Sequence, residues 1–191
     1  ITTSICCYAD DIEFIEAHVQ NIKSTLKNLK SQNFRMLFSA HGLPEKVIKS
    51  GDPYQYQIEV TVQKVVDSLK IKNLDYRITY QSKVGPMKWL MPDTEEEIKE
   101  ACREGKALVI VPIAFVSEHS ETLVELDIEY MQIAKDKKIE YLRVPTLSSS
   151  DKFISALRDM VKKFINDKNL LASSSKMCRI CPNGFTGCFC K

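Results

Sequence analysis

Two groups of residues in this 191-residue chain have types and spacings that could do chemistry. The first is Glu118-His119-Ser120-Glu121-Thr122-Leu123-Val124-Glu125-Leu126-Asp127, which closely follows the apolar run Ala107-Leu108-Val109-Ile110-Val111-Pro112-Ile113. At the α-helical step of about 100° per residue, Glu118, Glu121, Glu125 and Glu129 share one face, and Leu123, Leu126, Tyr130, Ile133 and Ala134 form the packing stripe opposite. A row of carboxylates binds hard or borderline divalent cations through oxygen. The same row also suits a solvated helix face whose first-turn acids complement the helix dipole. Like charges at i,i+4 cost about 0.2–0.5 kcal/mol per pair, and no Lys is interleaved between Glu121 and Glu129, which tilts the reading toward a cation site. The second group is the tail Cys178-Arg179-Ile180-Cys181-Pro182-Asn183-Gly184-Phe185-Thr186-Gly187-Cys188-Phe189-Cys190, which holds four of the chain's seven cysteines.

The elements that must position these groups are legible as alternating strand and helix patterns. Residues 10–30 have helical spacing through Ile12, Ile15, Val19, Ile22 and Leu26, and Phe34 to Ala40 is a short buried strand. Tyr54 to Leu69 is helical, Tyr76 to Gln81 a second strand, and Asp93 or Thr94 caps the next helix after Pro92. The 107–113 strand, the acidic helix, a strand over 139–144 and a helix over 152–165 complete the series. Strands separated by helices predict an α/β domain with a four-stranded parallel sheet flanked by helices. In such a sheet the strand ends share one edge, the edge where ligands bind in open α/β folds. Three of them carry polar motifs: Ser39-Ala40-His41-Gly42-Leu43-Pro44, Gln81-Ser82-Lys83-Val84-Gly85-Pro86 and Val116-Ser117-Glu118-His119. His41, a proton acceptor near neutrality, is thereby expected to face the Glu118–Glu125 stretch across one cleft. Trp89, in the unusually apolar loop 85–92, reads either as a loop folded on the core or as a flat wall for an aromatic ligand.

Composition sets the outer bounds. Hydrophobic residues make up 44% and charged residues 27%, as in ordinary globular domains. A net charge of +2 from 27 basic and 25 acidic residues gives no nucleic-acid footprint. No apolar run reaches membrane-spanning length and no signal peptide opens the chain; the start at Ile1 suggests a processed product or a fragment. The uneven placement of an odd number of cysteines argues against a secreted disulfide framework and for a metal or cluster site in a reducing compartment. Dinucleotide and Walker phosphate loops, a Gly-x-Ser-x-Gly elbow and kinase signatures are all absent from the sequence. Proton removal beside a divalent-metal route is the chemistry that remains.

The motifs Leu37-Phe38-Ser39-Ala40-His41-Gly42-Leu43-Pro44, Gly51-Asp52-Pro53-Tyr54, Tyr80-Gln81-Ser82-Lys83-Val84-Gly85-Pro86-Met87-Lys88-Trp89-Leu90 and Pro112-Ile113-Ala114-Phe115-Val116-Ser117-Glu118-His119-Ser120-Glu121-Thr122-Leu123-Val124-Glu125-Leu126-Asp127 closely resemble those of ferrochelatases, which insert ferrous iron into protoporphyrin IX. The resemblance runs collinearly from about Cys7 to Phe164 and covers only the C-terminal of the family's two Rossmann-like domains. It implies His41 and Glu121 as catalytic residues on either side of the porphyrin and in contact with the substrate iron. Glu125, His119, Glu118, Trp89, Gln81, Ser82 and Lys83 would line the substrate and metal path. It further implies protoporphyrin IX and ferrous iron as partners, together with an N-terminal domain that supplies much of the porphyrin lip. A homodimer, peripheral membrane association, and a cytoplasmic, inner-membrane or mitochondrial-matrix location belong to the same set of expectations. Met87, Trp89, Leu90 and Met91 are expected to be an exposed apolar surface. A catalytically inactive remnant binding an iron–sulfur cluster or zinc, and a cobalt chelatase of the same fold, stand as alternatives.

Spacing alone reads the tail as a four-thiolate zinc knuckle with Cys178 and Cys181 as one pair and Cys188 and Cys190 as the other. The resemblance instead implies a 2Fe-2S cluster held by Cys181, Cys188, Cys190 and the distant Cys7, leaving Cys178 and Cys6 as spares. The expected organisation is a Rossmann-like domain over 1–171 and a Cys-rich tail over 172–191.

Overall fold

The computed structural model describes residues 4–166 and 172–190, the Ala172 side chain excepted. The expected boundary between domain and tail, at 171–172, falls at the edge of the segment outside the described residues. The elements in chain order are strand β1 (Ser4–Cys7), helix α1 (Ile12–Leu26), β2 (Phe34–His41), α2 (Glu45–Lys49), α3 (Tyr54–Leu69), β3 (Tyr76–Gln81), α4 (Thr94–Arg103) and β4 (Ala107–Pro112). They are followed by a π-helix (Glu121–Tyr130), α5 (Met131–Asp136), β5 (Tyr141–Arg143), α6 (Asp151–Asn166) and β6 (Ala172–Ser174).

The expected four-stranded parallel sheet is present, in the order β3-β2-β4-β5. Its strands alternate between two buried faces, as a period of two requires. Met36, Phe38 and Ala40 of β2 and Val109 and Val111 of β4 pack with Ile15, Ile22, Val62 and Val65 of α1 and α3. Leu37, Leu108 and Ile110 face the other way, onto Ile98 and Ala101 of α4 and onto Leu126, Tyr130 and Ala134. Helices on both faces leave only the strand ends open to ligands. No described helix is long and apolar enough to cross a membrane.

Helix starts follow capping chemistry. Asp11 accepts the Glu13 and Phe14 amides at 3.1 Å, and Asp93 accepts the Glu96 amide at 3.0 Å, each satisfying amides that a helix N-terminus leaves free. At the sheet edge opposite the polar motifs, buried Arg35 binds Asp75 and Glu104, joining β2 to the start of β3 and the end of α4. The strands β1 and β6 were not anticipated. They pair with each other in parallel and so tether the cysteine tail to the start of the chain, outside the main sheet.

Candidate active site and cysteine corner

The three polar strand ends meet as expected. Within the parallel register His41 lies opposite Gln81, and Ser39 lies opposite Pro112. The His41 Nδ1 sits 2.7 Å from the Gly42 carbonyl oxygen, which can only accept, so Nδ1 carries a proton and Nε2 is the ring nitrogen turned toward the site. That Nε2 lies 3.4 Å from Glu121 Oε1, too close for a macrocycle to pass between them. The two side chains therefore stand together on one side rather than facing each other across the porphyrin as the resemblance implied; they are 38% and 35% exposed, a degree of access that a substrate needs. The Tyr54 hydroxyl donates to the His41 carbonyl at 2.9 Å and holds the turn from behind. Phe115 packs between His41 and His119, at ring-centroid separations of 6.5 and 5.0 Å.

Glu125 is held by the second strand end. Ser82 Oγ donates to its Oε1 at 2.7 Å and Gln81 Nε2 to its Oε2 at 3.2 Å, with the Tyr130 hydroxyl 3.4 Å away. Gln81 Nε2 also donates to the Glu121 carbonyl oxygen at 2.9 Å, and Gln81 Oε1 accepts from Ser39 at 2.7 Å, so one buried amide ties β2, β3 and the acidic helix together. Ser82 reaches Glu125 from a left-handed backbone position, φ 62.

The acidic helix is not the α-helix the sequence periodicity suggested. Glu121–Tyr130 is a π-helix, and Glu118 precedes it. Buried residues recur every fourth position, at Thr122, Leu126, Tyr130 and Ala134, rather than alternating three and four. This is the widened repeat of i→i+5 hydrogen bonding, in which residues four to five apart stack. Leu123, expected in the packing stripe, is therefore turned out and 47% exposed, beside Val124 and Ile128.

Glu118 has a different occupation from Glu121 and Glu125. It accepts from Arg143 Nη1 at 2.7 Å, from the Thr146 amide at 3.0 Å and from Thr122 Oγ1 at 2.7 Å. Its burial would raise the carboxyl pKa, but the Thr146 amide, Arg143 and Thr122 hold it down to about 2. Arg143 also forks onto Asp127 at 2.7 and 2.6 Å, clamping the π-helix to β5. His119 is exposed, and its Nδ1 accepts the Glu121 amide at 3.3 Å, where the helix begins. Lys83 pairs with the α4 cap Asp93 at 2.8 Å and so bears on the loop rather than on the carboxylates.

Trp89 is half-buried, and the loop bearing it folds back on 43–45 through an antiparallel bridge to Pro44. A Cβ on Gly42 would lie 2.9 Å from the Gln81 carbonyl oxygen and 3.3 Å from Trp89 Cε3, so only glycine lets Trp89 close over the His41 turn. The apolar surface is smaller than expected: Met87 and Met91 are exposed, but Leu90 is buried. Tyr54, Tyr130, Phe115 and Arg143 contribute to the site although the sequence reading did not place them there. For Arg143 the available signal was its place at the end of a strand beside an acidic helix.

The cysteines gather at a corner below α3. Cys181, Cys188 and Cys190 are buried together with Cys6 packed against them, and Cys7 is buried alongside. Cys178, which spacing alone paired with Cys181, is exposed. The Arg179 guanidinium organises the tail, donating to the carbonyls of Cys181, Pro182, Phe185 and Cys190. Gly187 docks on the turn before α3, its amide 3.0 Å from the Gly51 carbonyl oxygen. Burial pushes the thiols of Cys6 and Cys7 up to about 11 and that of Cys190 up to about 12. No three described His, Cys, Asp or Glu side chains converge on a single-ion position.

The sequence profile of the ferrochelatase family matches residues 1–165. The chain belongs to the ferrochelatase family. The ferrochelatase of Rickettsia conorii is 57% identical over 190 residues, covering 98% of this chain and 54% of its own length. That of Pelagibacter ubique is 49% identical over 193 residues, with 99% of this chain and 54% of its own length covered. This ferrochelatase-family chain thus spans about half the length of the curated relatives it matches. Among solved structures, a cobalamin (vitamin B12) biosynthesis CbiX protein from Marinobacter aquaeolei superposes with a TM-score of 0.50 at 16% identity, over 70% of this chain and 98% of its own, a likeness of fold alone.

Proposed function

We propose that this chain forms one wall of a metal-inserting site and, joined to a complementary N-terminal half, inserts ferrous iron into protoporphyrin IX to give protoheme, the terminal step of heme biosynthesis. The observation that carries this reading is the His41 Nε2–Glu121 Oε1 approach of 3.4 Å at an accessible strand end. Insertion exchanges two pyrrole N–H protons for one ferrous ion, so the site must accept two protons while tolerating a cation. His41 is prepared for the first task, because its Nδ1 proton is committed to Gly42 and Nε2 is left as acceptor. A proton taken there passes to the adjoining Glu121 carboxylate. Glu125, next along the π-helix and fixed by Ser82 and Gln81, continues the path, and the same carboxylates serve as oxygen ligands for the incoming iron. Gln81 and Ser82 orient and do not react. Trp89 offers an aromatic surface beside the His41 turn. Glu118 and Lys83 are spoken for by Arg143 and Asp93 and act through the framework.

At the corner, Cys7, Cys181, Cys188 and Cys190 would hold a 2Fe-2S cluster. The burial of Cys181, Cys188 and Cys190 as one group, with Cys6 packed against them and the buried Cys7 sulfur 3.6 Å from that of Cys6, supports this reading. When bound, such a group supplies one-electron chemistry and a covalent tie between the first strand and the tail. The exposed apolar residues Met87, Met91, Leu123 and Ile128 support a partner half as the opposing wall.

The test is porphyrin metalation by the chain alone and by the chain mixed with a complementary N-terminal half, for example that of the Rickettsia conorii relative. Iron insertion in the mixture, and little or none in either half, is the expected result. A mixture that associates, folds and binds porphyrin yet inserts no iron would contradict the proposal.

A further inference from the structure

We infer that Cys6 and Cys7 are interchangeable ligands for the metal group at the cysteine corner, so that the corner carries one thiol more than the group requires. The inference rests on the cluster reading above and assigns a role to a residue that spacing left idle. In a regular strand, consecutive side chains point to opposite faces. Here the β1–β6 register slips between Ile5 and Cys7, where Ser4 pairs with Ala172, Ile5 with Ser173 and Cys7 with Ser174. Cys6 is the unpaired residue of this bulge, a device that re-aims side chains. As a result the Cys6 and Cys7 sulfurs lie 3.6 Å apart and turn toward the same corner. Cys6 packs on the buried group of Cys181, Cys188 and Cys190, whereas Cys178 stands exposed.

A separation of 3.6 Å is within reach of one side-chain rotation, so either sulfur can take the fourth position beside the three tail thiols. Exchange breaks the iron–sulfur bond to one cysteine and forms it to the other. The proton of the incoming thiol passes to the outgoing thiolate, and no oxidation state changes.

The test is anaerobic reconstitution of the full chain with ferrous iron and sulfide. The readouts are iron and sulfide per chain, the visible spectrum, and paramagnetic resonance after reduction. Cys6→Ala and Cys7→Ala should each retain more than half of the wild-type iron and sulfide. The double variant and Cys181→Ala should each fall below a tenth, all four being checked for folding beforehand by circular dichroism. Loss in one single variant as complete as in the double would show one fixed ligand and overturn the inference. Pulse alkylation of the loaded wild-type chain gives an answer that needs no variant to fold. Partial labelling of both Cys6 and Cys7 supports exchange, and full labelling of one with full protection of the other refutes it. A wild-type chain that takes zinc and no sulfide defeats the cluster reading instead, and zinc titration of the same variants then decides the interchange separately.

Discussion

Replacing Arg143 with methionine should unlock the acidic helix without touching the reacting residues. Arg143 is only 14% exposed and makes three short contacts, two to Asp127 and one to Glu118. Removing it leaves two carboxylates facing each other in a half-buried setting. Breaking a fully buried ion pair costs about 3–5 kcal/mol, and the 30% and 26% exposure of Glu118 and Asp127 reduces this to about 2–3 kcal/mol here. For a domain of this size that is about 6–9 °C in melting temperature. The pH dependence follows from Glu118. Its folded pKa of about 2 lies below the ordinary value of 4.5, so its stabilisation is complete above pH 4.5 and is lost as pH falls toward 2. With Arg143 gone the remaining Thr146 and Thr122 bonds hold it less firmly, and the acid loss over that window shrinks. Urea unfolding at several values between pH 3 and pH 7 measures both effects, and hydrogen exchange should show faster exchange in the Glu121–Tyr130 amides. An Arg143→Met chain within about 0.5 kcal/mol of wild type at pH 7, the range of an ordinary surface substitution, with the same acid slope, would show that Arg143 is no clamp.

Three other outcomes follow from the same structure. His18 is fully buried, its Nε2 has no hydrogen-bond partner among the described residues, and burial pushes its pKa down to about 3. The unfolded chain therefore takes up a proton near pH 6.5 that the folded chain refuses, so stability should fall as pH drops from about 6.5 toward 3, by up to about 4 kcal/mol, and His18→Leu should flatten that slope in urea titrations. Gly42→Ala forces its new methyl against Gln81 and Trp89, which should cost about 1–3 kcal/mol and shift the emission of the chain's single tryptophan; unchanged emission and stability would place Trp89 elsewhere. Ser82→Ala removes a charge-assisted bond from Glu125 worth about 1.5–3 kcal/mol before solvent screening, so kcat of the assembled enzyme should drop roughly 10-fold with porphyrin KM unchanged; a KM effect alone would contradict the positioning role.

The sheet and its ligand edge were legible because alternation and buried runs such as Ala107–Pro112 report burial directly. That His41 would face the Glu118–Glu125 stretch followed from parallel strand ends sharing one edge, and the choice of Glu121 within it came from the family resemblance. Three features were hidden for physical reasons. A π-helix has no composition signature of its own, so an α-period laid over residues 118–130 put Glu118 in line with Glu121 and turned Leu123 inward. The fate of Glu118 depended on Arg143, a long-range partner that local periodicity cannot report. The short strands β1 and β6 pair across more than 160 residues, and the bulge that turns Cys6 toward the tail arises only from that pairing.

On this reading His41 and Glu121 do the proton and metal work, while Glu118, two positions before Ser120, only supports the scaffold. The decisive measurement is ferrous insertion with the two halves combined, for His41→Ala, Glu121→Gln and Glu118→Gln at a temperature where all three remain folded. At least about a hundredfold loss of kcat is expected for the first two, the scale of a lost general base, and near wild-type kcat with lowered stability for the third. Full activity of the His41→Ala chain, or a kcat loss for Glu118→Gln as large as for Glu121→Gln, would contradict it.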